Sequence, residues 1–317
     1  MLQPAPLRSV FLYPVTAAIA GAAVAVTVLW WLGRNTGVFF MTIDVPVKWE
    51  LWRAVTSILP HVNFFHLAFN LYWFWVFGTF LERAYGHLRF LAIVLLLALG
   101  SSLAEFAVLN GGVGLSGVGY GLWAMLWVLN RRDPRFAGVM DAQTSRLFVI
   151  WFFLCIALTI TNVMRVANIA HGMGAVLGFF LGLIATSSGL RILWNSTGLV
   201  ACLLWCLTGS TVLWPRFNLS ADAQADAERA GIEALTRSDN PRGLRLLKLS
   251  AHMKNAPART WFNLGVAYHR TGNAEAALAA YEHAAAMPDA TKDMYEAAQT
   301  LRAALRANQA LPDSRKR

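Results

Sequence analysis

Charged side chains are scarce in this 317-residue chain, at 14% of the total. Acidic ones are scarcest before Pro215, where only six Asp and Glu occur. With hydrophobic content at 57% and mean hydropathy at +0.48, this shortage excludes a soluble globular protein and predicts an all-α, polytopic membrane helix bundle in the lipid bilayer. Before Pro215 the basic residues number 12 and fall almost entirely between apolar runs, which is how membrane topology is encoded. The net charge of +10 therefore does not point to a nucleic-acid partner. Cysteine is scarce as well. Cys155, Cys202 and Cys206 each lie inside an apolar run, which excludes a disulfide framework or a zinc set and leaves the redox compartment unread. Three motifs are missing: HExxH, Gly-x-Gly-Asp and histidine-rich boxes. Their absence disfavours a zinc or aspartyl intramembrane protease and a diiron site, so neither a metal nor a cofactor is expected.

The apolar runs come in order. Arg8 precedes the first, at 10–32; Ala18-Ile19-Ala20 resembles a signal-peptidase site, but the run continues past it and reads as an uncleaved span. A polar, aromatic connector over 34–60 suits the membrane interface. Further spans are expected at 61–81, 88–109, 116–130, 147–162 and 169–186. A seventh is expected at 192–214, where Asn195, Ser196, Thr197, Thr208, Ser210 and Thr211 dilute it. The loops holding Arg83, Arg89, Arg131, Arg132, Arg135, Arg146 and Arg191 are shorter and denser in charge than those holding Arg34, Lys48, Arg53 and Arg165. That asymmetry puts the N-terminus in the cytoplasm of a cell (inner) membrane protein and the tail on the outer, periplasmic side. The expected division is a six-span core over 1–190, a seventh span over 191–215 and a tail domain over 216–317.

The tail changes character, with 15 Lys and Arg and 11 Asp and Glu in an alanine-rich, helical sequence. Trp261, Leu264, Gly265, Tyr268, Ala277, Tyr281 and Pro288 resemble the tetratricopeptide pattern, with a turn at Thr271-Gly272-Asn273. Gly231 lies 34 residues before Gly265, with a turn at 238–241, as in a degenerate second unit; 291–308 would be a capping helix. An ordinary helical hairpin is the plainer alternative. Such repeats bind a peptide or protein partner and carry no chemistry.

One stretch offers a nucleophile. The glycine-rich loop 110–114 leads into Gly114-Leu115-Ser116-Gly117, and a short apolar segment leaves it and ends at Arg131-Arg132. As a helix that segment spans roughly 22 Å, less than the bilayer's hydrocarbon thickness, so Ser116 lies below the interface and must face protein or a water-filled cavity. A serine at that place is also an ordinary helix N-cap. His66 and Asn70, at i and i+4, share a helical face and can both donate hydrogen bonds, as an oxyanion hole requires; they can equally bond neighbouring helices. His171, after Asn168, heads a small-residue stripe of Gly174, Gly178 and Gly182, matched by Gly117, Gly121 and Ala124 on the fourth span. Helices that close would bring Ser116 and His171 within hydrogen-bonding reach, with Tyr120 available to pack the imidazole.

On these residues the chain resembles a rhomboid intramembrane serine protease. Trp52-Arg53 is similar to the family's first-loop motif, and His61, His66 and Asn70 to its second-helix signature. Gly78, Glu82 and Gly86 are similar to its GxxxExxxG segment, Gly114-Leu115-Ser116-Gly117 to its nucleophile motif, and His171 with Gly174 and Gly178 to its base helix. The resemblance implies Ser116 as nucleophile and His171 as general base and acid. It implies an oxyanion hole made by the Ser116 backbone N–H, His66 and Asn70, with Tyr120 stacked on His171. It implies substrates that are single-span membrane proteins, cut beside a small residue where their helix unwinds. A catalytically inactive rhomboid-like scaffold, recruiting partners through its repeats, is the alternative; a transporter is a weaker one, because no other paired ionisable residues sit at mid-membrane.

Overall fold

The computed structural model describes residues 5–220 and 222–310, so the two ends of the chain lie outside the described residues. It divides into two compact units, Met1–Phe217 and Asn218–Arg317. Among the described residues there is no strand.

The first unit opens with α1 (Pro14–Trp31), and two short helices, α2 (Asp44–Lys48) and α3 (Trp52–Thr56), punctuate the connector. The bundle follows: α4 (Phe64–Tyr85), α5 (His87–Val108), α6 (Ser116–Arg132), α7 (Ala142–Ile160), α8 (Asn168–Ala185) and α9 (Leu190–Ser210), then the short α10 (Trp214–Phe217). Six of these, α1, α4, α5, α7, α8 and α9, are long and apolar enough to cross a membrane by length and composition. The remaining expected span, α6, has 17 residues, of which eleven are buried. It faces other helices rather than lipid, which is why glycines at 117, 119 and 121 and a low apolar content are tolerated there.

Span boundaries fall within a few residues of expectation, with one correction. The second span does not begin at His61. Asn63 is the N-cap of α4, its side chain accepting from the His66 N–H, so His61 lies in the loop ahead of the helix. The polar residues of the expected seventh span do not interrupt α9. Thr197 and Thr208 donate to the carbonyls of Leu193 and Leu204 one turn back, and Asn195 donates to Ser187, so these three side chains are satisfied without solvent. Beyond α9, the buried Trp214 stacks on Phe106 and donates from Nε1 to the Phe106 carbonyl at 3.0 Å, tying the chain after α9 to the end of α5.

Glu82 explains how α1 is anchored. The N-cap residue of α1, Tyr13, offers no capping side chain, which leaves the first N–H groups open inside an apolar bundle. The Glu82 carboxylate fills that role from α4, accepting the Val15 and Thr16 N–H groups at 2.9 Å each and the Thr16 hydroxyl at 2.6 Å, while His87 Nδ1 lies 2.7 Å away. Gly78, one turn earlier, admits Thr16 and Phe90 against α4, and Gly86 at φ +78 makes the turn into α5. At the other end of α6, Asp133 accepts the Arg135 N–H and guanidinium, and those hydrogen bonds hold its carboxyl below the usual range.

The second unit consists of α11 (Ala223–Thr236), α12 (Asn240–Ala251), α13 (Ala258–Arg270), α14 (Ala274–Ala285) and α15 (Lys292–Ala310). Its two hairpins repeat at a spacing of 34 residues, contact by contact. Gly231 packs on Leu247 as Gly265 packs on Tyr281, Asp239 caps α12 as Asn273 caps α14, and positive φ at Ser238 recurs at Gly272. The degenerate hairpin therefore has the same construction as the clear one. Buried Glu228 on α11 ties them together, bonding Arg259 and Asn263 on α13.

Candidate active site

The loop into α6 is built around Gly114. Its φ of +106 suits glycine, and a Cβ there would lie 2.7 Å from His66 Cε1 and 2.9 Å from His66 Nε2. The loop is held from both sides: the Gly114 N–H donates to the Ser57 carbonyl at 3.2 Å, and the Leu115 N–H donates to His61 Nε2 at 3.2 Å. His61 Nδ1 lies 2.9 Å from the Leu59 carbonyl, so one tautomer, protonated at Nδ1, satisfies both contacts. His61, outside the helix and fully buried, thus supports the Ser116 loop.

Leu115 is the N-cap of α6, so Ser116 is its first helical residue and does not act as the cap. Its hydroxyl goes elsewhere: Ser116 Oγ lies 2.8 Å from His171 Nε2. The glycine stripes make that distance attainable. A Cβ on Gly174 would overlap the Gly117 carbonyl oxygen and one on Gly178 would overlap that of Gly121, so α6 and α8 run backbone against backbone. His171 is 3% exposed, and Tyr120 stacks on it with ring centroids 4.7 Å apart and planes at 27°. The Tyr120 hydroxyl donates to the Phe148 carbonyl on α7 at 3.1 Å, which fixes that ring in turn. Among the described residues His171 Nδ1 has no hydrogen-bond partner, so packing, not a carboxylate, orients the imidazole.

His66 and Asn70 stand on the first turns of α4. The His66 ring lies against Gly114, 4.9 Å from the His61 ring between centroids. Asn70, buried, directs Nδ2 at the His66 carbonyl at 2.9 Å, which leaves its second amide proton for another acceptor. Trp52 and Arg53 shape the connector instead. The Arg53 guanidinium gathers the carbonyls of Gly37, Val38 and Phe40, pairs with Glu50 and lies over the Trp52 ring at 4.7 Å. Glu82 stands about 24 Å along α4 from His66, so the Gly78, Glu82 and Gly86 motif is scaffold.

Two features escaped the sequence. Asn168 at the start of α8 donates to Thr159 Oγ1 at 2.8 Å, joining α8 to α7. Glu105, near the end of α5 and 3% exposed, accepts the Ala170 N–H at 2.9 Å. It also lines a cavity of about 10 Å³ beside Ser116, together with Ser101, Ser102 and Gly112. A lone acid near the end of an apolar run gives no local signal of either contact. The only hint is that the residue ahead of α8 is an alanine, Ala167, which cannot cap it.

Residues 48–188 match the family model described as the Rhomboid domain, which spans the connector motif, Ser116 and His171. Residues 258–288 match the model for a tetratricopeptide repeat, covering α13 and α14. The chain is a multi-pass membrane protein that carries a Rhomboid domain, with a tetratricopeptide repeat in its tail.

Proposed function

We propose that this protein is an intramembrane serine endopeptidase that cuts single-span membrane proteins through a Ser116–His171 dyad. The observation that carries the reading is the 2.8 Å contact between Ser116 Oγ and His171 Nε2, made by a serine whose hydroxyl is not engaged in capping its own helix. The match to the Rhomboid domain points the same way, since rhomboid proteins are in general serine intramembrane proteases.

In this reading the Ser116 hydroxyl attacks the scissile carbonyl carbon as its proton passes to His171 Nε2. The tetrahedral oxyanion is met by the Ser116 N–H and by donors from His66 and Asn70. Collapse breaks the C–N bond, His171 returns the proton to the leaving amine, and an acyl-enzyme on Ser116 remains. A water molecule then repeats the sequence, giving its proton to His171 and releasing the carboxylic product. Buried Tyr120 keeps the imidazole plane fixed throughout. Residues 1–190 form the catalytic core, 191–215 the added span and 216–317 a partner-binding tail. The N-terminus faces the cytoplasm of the cell membrane, and the tail shares the outer side with the mouth of the site.

A fluorophosphonate probe tests the reading. Wild-type protein in membranes labels and cleaves a single-span model substrate, whereas Ser116→Ala does neither. A wild-type protein that neither labels nor cleaves is the inactive scaffold.

A further inference from the structure

The N-terminus of α8 is incomplete by itself. Its N-cap position is Ala167, which has no side-chain oxygen to take the first N–H groups of α8. Glu105 supplies what is missing from another helix: its carboxylate takes the N–H of Ala170, the third residue of α8, at 2.9 Å. A negative group there also complements the positive end of the helix dipole. The next residue is His171. Glu105 also touches the other half of the site, because the loop that delivers Ser116 packs over it: a Cβ on Gly112 would lie 2.6 Å from Ala167 Cβ and 3.6 Å from Glu105 Cγ.

We propose that Glu105 is a positioning residue for the dyad, fixing the height and rotation of α8 so that His171 Nε2 meets Ser116 Oγ. The inference rests on the protease reading above. The glycine stripe sets how closely α8 approaches α6, but a smooth stripe permits sliding along the helix axis. The bond from Ala170 to Glu105 opposes that sliding, since a shift of one residue carries His171 about 1.5 Å away from Ser116. Nothing in this role needs Glu105 to exchange a proton; it needs an acceptor oxygen at the right reach.

Reach and charge are separable. Glu105→Gln keeps the length and one acceptor oxygen without the charge, while Glu105→Asp keeps the charge and shortens the side chain by one methylene. Both are compared with wild type in proteoliposomes, recording kcat and KM on a single-span model substrate and the rate of fluorophosphonate labelling. The expected result is that Glu105→Asp lowers kcat and labelling together by roughly 10- to 100-fold with KM nearly unchanged, while Glu105→Gln stays much closer to wild type. If Glu105→Asp matches wild type, or if Glu105→Gln is the more damaged of the two, the positioning role is wrong. A change confined to KM, or to thermal stability with kcat intact, overturns it as well. If wild-type protein itself neither labels nor cleaves, the protease reading has failed and this proposal falls with it; active wild type with an unaffected Glu105→Asp refutes the positioning role alone.

Discussion

Gly174 and Gly117 meet without side chains between them, and a methyl on Gly174 would overlap the Gly117 carbonyl oxygen. The helix carrying His171 and the helix carrying Ser116 are therefore in contact one turn from the Ser116–His171 hydrogen bond. Gly174→Ala must push α8 outward, since its methyl meets backbone and not the movable end of a side chain. The expected cost is about 3 kcal/mol or more, with loss of cleavage. Gly119, on the same helix as Gly117, has open space where its Cβ would go, so Gly119→Ala should be neutral or gain up to about 1 kcal/mol from helix propensity. Thermal unfolding in detergent and cleavage of a model substrate measure both. Equal effects of the two substitutions would remove the case for close packing.

Ser116 and His171 should behave as one unit. Ser116→Ala, His171→Ala and the double substitution are expected to lose activity to a similar extent, because removing either partner already abolishes the pair. The check is kcat/KM for all three. Near-additive losses would mean that the two residues act separately.

Asn70 divides an oxyanion role from a packing role. One Nδ2 proton is committed to the His66 carbonyl, and the other is free to serve the reaction. Asn70→Ala should lower turnover by roughly 10- to 1,000-fold while Ser116 stays in place. If the folded fraction instead keeps full turnover and only thermal stability drops, Asn70 holds α4 together and does nothing more.

These expectations differ in how visible they were beforehand. The pairing of α6 with α8 was legible because glycines at 117, 121, 174, 178 and 182 encode it directly: absent side chains are a steric statement. The repeat register was legible for the same reason, from Gly231 and Gly265. The start of α4 was misplaced by a few residues, since the helix begins only after Asn63, whose side chain accepts the His66 N–H, and not at His61. Glu105 was not legible at all, because its partner, the Ala170 N–H, lies on another helix, 65 residues away in sequence. Trp214 was likewise hidden, as its partner carbonyl on Phe106 has no identity in the sequence.

Glu82 offers a test of how far scaffold and site are separable. Its carboxylate caps α1 with hydrogen bonds to Val15 and Thr16, and it is 1% exposed. Glu82→Ala strands those donors in an apolar bundle, at a cost of about 3 kcal/mol or more. The protein that remains folded should still label with fluorophosphonate at close to the wild-type rate, because Glu82 holds the first turn of α1, whereas Thr27 and Trp31, which reach His61, lie towards its other end. A labelling rate that collapses while the melting temperature holds would assign Glu82 a part in the site itself.

The side of the membrane on which the tail lies rests on α9. Its Thr and Asn side chains are satisfied within the bundle, and its length and composition suit a crossing. With α1, α4, α5, α6, α7 and α8 as six crossings, α9 as a seventh sends the tail to the side opposite the N-terminus. The charge balance of the tail does not decide the matter, because long domains translocate largely regardless of charge. Two exposed alanines do. Ala137 lies in the arginine-rich loop between α6 and α7, and Ala304 lies on α15. In a background with Cys155, Cys202 and Cys206 replaced by alanine, Ala304→Cys should react with an impermeant thiol reagent in intact cells or spheroplasts, and Ala137→Cys only after lysis. If both react only after lysis, the tail is cytoplasmic and α9 does not complete a crossing. If the topology holds, a chain ending after Phe217 retains Trp214 and every residue around Ser116 and His171, so it should still cut a model substrate. What it should lose is selection among natural substrates or partners, read as a changed cleavage pattern in native membranes.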